Sequence, residues 1–388
     1  MVERSMFTRA YKIALAGLVV MAAMAAITTP AHAEISFSVS PALNDLSADP
    51  GASGEQIITL ANNGSDAITV TIAVEPNASA SPERSAAGGL IPAESSVQLK
   101  PGEQRDVRVG IDVPKEAISG GYYANVSFTT GGQEQGENSA AIAGQLSVGF
   151  LITVDGDGEI VREAAIARLA PMLDGDGRVS FQMVVESAGN VHVIPAKAAV
   201  EVRNADGSAL GSLDFDLVPP ILPGNSATLM TRGSLPLTVD GSYQAVGSFT
   251  FGDETITSTV DFAVSPELAV NAVTVCENLD RGPTFAVVLS NSGDLALSPM
   301  VTMSLAAEDG TSLGQAAVPL AAPLWPHSDL NQAIDYPDRL VSGRYLLITE
   351  IAFDPRQPPV RQETSFQIGG LDGNPAPLCS ELSATPTT

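Results

Sequence analysis

The chain has 388 residues, of which 19 are basic and 44 acidic, and a formal net charge of −25. So acidic a chain offers no basic patch for nucleic acid or anionic lipid, which excludes both as expected partners. Apolar residues make up 44% of the chain but aromatic residues only 5%, and Gly and Pro are frequent. This composition favours short β-strands joined by turns, in more than one domain.

The N-terminus has the pattern of a signal peptide. Basic residues precede an apolar run at residues 13–27, and Ala31-His32-Ala33 supplies a small-residue cleavage site. We predict that residues 1–33 are removed, that no membrane span remains, and that the protein is exported to the periplasm or the surface of a bacterium. An uncleaved anchor is the alternative.

Short runs of alternating apolar and polar residues follow the leader, as expected for half-buried strands. Residues 76–94 lack any period and are predicted to form a long surface loop. The closing strand of this first region is expected at residues 146–154.

Three turn-and-strand signatures then recur in the same order: a Gly-containing tight hairpin, a Pro turn, and a strand entered through Gly-x-Tyr. The copies are Gly64, Pro101 and Gly120-Gly121-Tyr122; Gly189, Pro223 and Gly241-Ser242-Tyr243; and Gly293, Pro326 and Gly343-Arg344-Tyr345. We therefore predict an all-β fold of three tandem immunoglobulin-like β-sandwich domains, at residues 34–155, 156–265 and 266–371. Residues 372–388 are predicted to be a disordered tail.

The first two repeats resemble a known family. The order of strand, Asn63-Gly64 turn, Pro101-Gly102-Glu103 turn and Gly120-Gly121-Tyr122 is similar to the N-terminal domain of the WxL-interacting cell-surface proteins of bacteria. Residues 189–195, with Pro223-Gly224 and Gly241-Ser242-Tyr243 behind them, resemble the second sandwich of related proteins. The resemblance covers residues 35–264 and implies the same sandwich fold, a surface location, and binding to peptidoglycan or a host protein. Where the family usually has a membrane-spanning helix and basic tail, this chain has a further sandwich.

The aromatic residues have two interpretations. Tyr122, Tyr243 and Tyr345 hold the same phase of each repeat, which favours a structural corner with a buried ring and a hydroxyl bonded to nearby backbone. An aromatic binding set is the alternative. Trp325, the sole tryptophan, lies before the Pro turn and is either buried or a possible contact residue for a partner.

No metal or cofactor is predicted. Asp155, Asp157 and Glu159, and further on Asp174 and Asp176, alternate with glycine as in calcium loops, but neither segment has the complete spacing of ligands. Asp-Gly pairs also suit type I′ turns. Asp155, Asp157 and Glu159 therefore stand only as weak metal candidates.

The sequence contains no convincing catalytic set, so a non-enzymatic protein is predicted. Residues 310–314 match the G-x-S-x-G pattern, but that motif needs a strand-turn-helix, and here a hairpin is expected. His192 and His327 lie in different predicted domains, so we interpret each as a half-exposed packing residue rather than as a metal ligand or a general base.

The two cysteines are predicted to form a disulfide. Cys276 lies in the first run of the last repeat and Cys379 in the tail, and an exported chain can oxidise them. The bridge would hold the tail against the last sandwich, and two unpaired thiols are the alternative.

Our functional hypothesis is an exported, non-enzymatic envelope or surface protein that binds another protein or wall polymer through tandem sandwiches. The first alternative is a periplasmic chaperone for surface-fibre subunits, which acts by strand donation. Such chaperones use basic cleft residues, whereas no Arg or Lys occurs between Glu34 and Glu83. An exported hydrolase is a distant third, and the oligomeric state is left open.

Overall fold

The computed structural model describes residues 36–130, 144–277 and 282–369. These residues form twenty-three strands and two short 3₁₀ helices, Pro82–Arg84 and Ala87–Gly89, with no α-helix among them. The predicted all-β tandem fold is confirmed. The leader, the tail and Cys379 lie outside the described residues, so the predictions made for them remain predictions.

The chain divides into two compact units, Met1–Glu159 and Ile160–Thr388. In the described part of the chain, no helix is both long and apolar enough to cross a membrane.

The first unit is one sandwich of two sheets. Its strands are β1 (Phe37–Ser40), β2 (Leu43–Ala48), β3 (Ser53–Asn62), β4 (Ile68–Pro76), β5 (Leu90–Pro92), β6 (Ser96–Leu99), β7 (Gln104–Asp112), β8 (Gly120–Thr130) and β9 (Gly144–Val154). One sheet has the order β1-β3-β7-β5 and the other β2-β9-β8-β4-β6. Alternate side chains of both sheets fill the core, where Val109, Phe128 and Phe150 are fully buried.

The second unit holds two further sandwiches of identical strand order. The strands are β10 (Ala164–Leu173), β11 (Val179–Ser187), β12 (Pro195–Asn204), β13 (Ala209–Asp214), β14 (Ser226–Met230), β15 (Ser242–Phe251), β16 (Glu254–Ala263), β17 (Leu268–Cys276), β18 (Thr284–Asn291), β19 (Met300–Ala307), β20 (Ser312–Pro319), β21 (Ser328–Asp335), β22 (Gly343–Ala352) and β23 (Val360–Ile368). The sheets are β10-β11-β14 with β13-β12-β15-β16, and β17-β18-β21 with β20-β19-β22-β23.

The two sandwiches of the second unit share apolar packing. Leu295 and Leu297, between β18 and β19, belong to the buried cluster of the preceding sandwich, and Phe353 packs against the same cluster. The Leu173 amide donates to the Ala296 carbonyl at 3.0 Å, and the Ala296 amide donates to the Pro171 carbonyl at 2.9 Å. Backbone bonds and a shared core therefore hold these two sandwiches together.

The predicted Gly-containing hairpins are wrong. Gly64 lies between β3 and β4, which belong to opposite sheets, and Gly189 and Gly293 mark the same crossing in the other sandwiches. At two of the crossings a buried Asn satisfies the backbone. The Asn62 Nδ2 donates to the Leu99 carbonyl at 3.1 Å, and the Asn291 Nδ2 donates to the Leu295 carbonyl at 2.7 Å. The turn residues therefore stabilise the segment in which the chain crosses from one sheet to the other.

The predicted loop at residues 76–94 also needs correction. It contains both 3₁₀ helices and β5, which pairs with β7. Leu90 is only 5% exposed because it fills the core between the sheets. One inward side chain on a three-residue strand leaves no period that the sequence could display.

Candidate functional site

The first unit has an open sheet edge along the first half of β9. The chain passes from one sheet to the other at the cis peptide Ser40-Pro41, so β1 pairs with β3 whereas β2 pairs with β9. The parallel β2–β9 pairing covers only Gly149–Val154. Among the described residues, none pairs with the preceding half of β9 on that side.

The backbone groups at this edge can be assigned from the neighbouring hydrogen bonds. The Gly149 amide donates towards β2, to the Ala42 carbonyl at 3.1 Å. Because successive residues of a strand turn their N–H and C=O groups to opposite sides, Ser147 and Gln145 face the same way as Gly149. Leu146 and Val148 bond towards β8 instead. The open edge therefore presents the N–H and C=O groups of Gln145 and Ser147, two donors and two acceptors.

Apolar side chains lie beneath this edge. Val148 is fully buried, whereas Phe37, Val39 and Leu146 are partly exposed, and Phe37 and Val39 pack against the core. An added strand would cover these three side chains with its own inward residues. Such an edge can therefore offer both hydrogen bonds and apolar contact to an extended segment.

The edge lacks the usual protection against strand pairing. Residues 144–148 carry no charge and no proline, the common devices that blunt an edge. The edge strands β16 and β23 carry charges, including Asp261 and Glu363. The edge strand β20 is uncharged, but the Tyr336 hydroxyl donates to the Leu313 carbonyl there at 3.1 Å. The β9 edge is thus open in both geometry and composition.

The three repeat tyrosines form corners within their own sandwiches. The Tyr122 hydroxyl bonds to the Ile118 backbone at 3.2 Å, that of Tyr243 bonds to the Thr238 backbone, and that of Tyr345 donates to the Val341 carbonyl at 2.6 Å. Tyr243 and Tyr345 are buried, and burial raises the pKa of Tyr345. Tyr122 is half-buried and has the Arg84 guanidinium 5.3 Å from its ring centre. The tyrosines are not brought together into a shared surface in either unit.

Trp325 contacts the neighbouring sandwich of its own unit. The ring is half-buried, and the Arg168 guanidinium of β10 lies 4.5 Å from its centre. This is cation–π geometry. Arg168 therefore covers one face of the ring, and the role of Trp325 as a contact residue for a partner stays a prediction.

The interpretation of His192 as half-exposed is wrong, because the residue is fully buried behind the sheet crossing after β11. The Arg162 Nε donates to its carbonyl at 3.2 Å. His327 is exposed and adopts a φ of 52°, the left-handed conformation that glycine provides in the other Pro turns. Its Nε2 lies 3.2 Å from the Asp294 Oδ1. The two histidines are not brought together.

The acidic segment after β9 is organised around a hydroxyl. The Gly156 and Gly158 amides donate to the Ser119 Oγ at 3.1 and 2.7 Å, while Asp155, Asp157 and Glu159 are exposed. In the described ranges, no three His, Cys, Asp or Glu side chains converge as metal ligands. Asp155, Asp157 and Glu159 therefore remain only weak metal candidates.

The G-x-S-x-G segment forms the β19–β20 hairpin rather than a strand-turn-helix. The Asp309 Oδ1 accepts from the Thr311 amide at 2.9 Å, which fixes the turn and lowers the pKa of Asp309. Ser312 begins the strand. Cys276 ends β17 and is 7% exposed. Since Cys379 is not described, the disulfide stays a prediction.

The sequence interpretation missed the open edge. The residues of β9 were expected to form an ordinary closing strand, and nothing local distinguishes Gln145 and Ser147 from the paired residues after them. Pro41 is the available signal, because a proline within a first strand favours an edge or a break in pairing.

The sequence matches no known protein family and no curated protein. Solved structures with a similar fold include the class 5 fimbriae chaperone CfaA, at 11% identity over 58% of this chain and 98% of that chain, with a TM-score of 0.32. Another is the Salmonella enterica complex of SafA pilin with the SafB chaperone, at 14% identity over 59% of this chain and 98% of that chain, with a TM-score of 0.32. A third is the CsuC–CsuE chaperone–tip adhesion subunit complex of Acinetobacter baumannii, at 11% identity over 58% of this chain and 97% of that chain, with a TM-score of 0.30. The likeness concerns the β-sandwich fold alone.

Proposed function

We propose that this chain is an exported, non-enzymatic binding protein whose first sandwich holds an extended segment of another envelope or surface protein by strand addition at the β9 edge. The observation that carries the proposal is the half-strand of β9 whose outer side no described residue pairs, with Gln145 and Ser147 directing backbone groups outward over partly exposed Phe37 and Leu146. Extended segments bind such edges through main-chain hydrogen bonds.

The partner class we propose is a surface-fibre subunit, which makes the chain a chaperone of the strand-adding kind. The titles of the similar structures describe chaperones in complex with a pilin or with a tip adhesion subunit. The proposal extends that partner class to this chain and rests on the open edge, not on the likeness. Membership of the WxL-interacting family and binding to wall polymer stay predictions.

The test places proline at Ser147, whose N–H points outward from the β8–β9 ladder. Ser147→Pro removes an outward donor and leaves the β8–β9 ladder intact, since that N–H does not bond to β8. Ser147→Thr keeps the donor and serves as the matched control. Circular dichroism and the unfolding midpoint establish that the Pro variant is folded.

A photo-crosslinking residue at Gln145 of the exported chain captures the partner, which mass spectrometry identifies and which is then purified. We expect Ser147→Pro to weaken binding of that partner at least tenfold, with Ser147→Thr unchanged. Equal affinity of the folded Pro variant would refute strand addition. Sedimentation with purified cell wall, unaffected by Ser147→Pro, would instead support the wall-polymer hypothesis.

A further inference from the structure

The first sandwich contains an apolar pocket that is separate from the open edge. Its volume is about 250 Å³, and it lies at the end of the sandwich where β7 and β9 finish and β8 begins. Buried Ile111, Val113, Ile152 and Val154 form its floor. The second 3₁₀ helix forms one wall, through Gly88 and Gly89. Strand addition does not require this pocket.

The lining is almost wholly hydrocarbon. Asp112 borders the pocket, but inward Ile111 and Val113 flank it, so strand alternation points its side chain to the other face, where the Ser53 Oγ donates to it at 3.1 Å. Apolar cavities exclude water and accept apolar molecules. At interior packing density, about 250 Å³ holds about ten carbon atoms.

The side chain of Arg84, which is half-buried, lies beside the pocket. Arg84 precedes Ser85 of the lining, and its guanidinium lies over Tyr122, which also lines the pocket. Its Nη1 donates to the Ser119 carbonyl at 3.2 Å, and the adjacent Glu83 interacts with it electrostatically, but among the described residues no carboxylate lies within ion-pair distance of it.

Arg84 differs in this respect from several other arginines of the chain. Most of the other described arginines pair with a carboxylate, as Arg105 does with Glu94 and Arg232 with Asp216. A guanidinium has five N–H donors in a planar fork that suits a carboxylate. Most of the donors of Arg84 therefore remain available to an anionic ligand.

We propose that the pocket binds a small aliphatic or aromatic carboxylate, with the hydrocarbon part among Ile111, Val113, Ile152 and Val154 and the carboxylate on Arg84. The pocket size limits the hydrocarbon to about ten carbons. Each methylene that enters strengthens binding about fourfold. Affinity therefore rises along a series of linear carboxylates and stops rising at about that length.

Calorimetric titration of the exported chain with octanoate tests the proposal, with octan-1-ol as the uncharged comparison. Octanoate is expected to bind more tightly than octan-1-ol. Gly88→Leu is the blocking variant, because Gly88 lines the pocket, a Cβ at this position meets no atom within 4 Å, and the glycine has no left-handed φ. It should weaken both probes at least tenfold. Gly175→Leu, at an equally open and exposed glycine of the second unit, is the matched control and should change neither.

Arg84→Gln tests the contribution of the charge to binding separately from that of the cavity. It should lower octanoate affinity to that of octan-1-ol and leave octan-1-ol unchanged, while Arg232→Gln changes neither. Ala117→Phe, at another lining residue, provides a second block. The proposal is overturned if octanoate does not saturate at millimolar concentration, if neither block weakens it, or if Arg84→Gln weakens both probes equally.

Discussion

The amide of Asn291 should be among the most sensitive polar groups of the last sandwich. Asn291 ends β18 and is 2% exposed. Its Nδ2 reaches the carbonyl oxygens of Leu295, Leu324 and Trp325 at 2.7, 3.1 and 3.1 Å, and its Oδ1 accepts from the Gly293 amide at 3.0 Å. One side chain thus lies within hydrogen-bond distance of four backbone groups where the chain passes between the sheets.

Asn291→Ala leaves the Leu295 carbonyl and the Gly293 amide without their partner, whereas the Leu324 carbonyl keeps the Leu297 amide and the Trp325 carbonyl keeps the Ser328 hydroxyl. Each group that loses its partner costs about 1 to 3 kcal/mol, and water admitted to the smaller side chain's space recovers part of that. We expect the last sandwich to lose about 2 to 4 kcal/mol. Asn291→Asp should cost more, because it directs a carboxylate at carbonyl oxygens.

Ser187 provides the matched control. It ends β11 at the equivalent crossing and is 3% exposed, yet its hydroxyl has no hydrogen-bond partner within the described part of the chain. Ser187→Ala should therefore change the free energy of unfolding by less than about 0.5 kcal/mol.

Trp325 is the only tryptophan and its carbonyl accepts from Asn291, so its fluorescence reports on the last sandwich and on its contact with Arg168 of the preceding one. In a urea titration followed by tryptophan fluorescence, Asn291→Ala should lower the midpoint by about 1 to 2 M at a slope of about 2 kcal/mol/M. A midpoint within about 0.3 M of the parent, at unchanged slope, would show that the crossing does not depend on this amide.

Three further predictions concern the second unit. The Arg356 guanidinium holds the pKa of the buried Asp354 carboxyl below its usual range. The ionised carboxyl therefore stabilises the fold fully above the unfolded pKa of about 4, and this contribution is lost as pH falls through the folded pKa. Asp354→Asn should make the free energy of unfolding depend less on pH between about pH 5 and 2. Arg168→Ala should cost about 0.5 to 2 kcal/mol and shift the emission of Trp325, whereas unchanged emission argues against the contact. Tyr243→Phe should cost about 0.5 to 1.5 kcal/mol in thermal unfolding, and no loss would count against the corner hydrogen bond.

Local patterns in the sequence indicated the strands and their buried faces well. Alternation marks the inward side chains whatever strand lies beside them, so the Gly-x-Tyr segments emerge as β8, β15 and β22 with their apolar residues inside. The Pro turns need a left-handed residue, which Gly102, Gly224 and His327 supply. These features depend on a few neighbouring residues, and such information is present in the sequence.

Pairing depends on residues far apart, and here the sequence was insufficient. A turn such as Asn63-Gly64 can close a hairpin or pass between sheets with the same alternation on either side, so the hairpin interpretation was wrong. His192 has the polarity of a surface residue, and only packing behind the crossing buries it. The open edge at Gln145 and Ser147 exists because β1 and β2 join different sheets, and the pocket beside Arg84 exists because a short helical segment covers the end of the sandwich. The sequence by itself determined the repeating strands and their inward faces, whereas the tertiary structure decided which edges stay unpaired, because strand partnership is a property of contacts between distant segments.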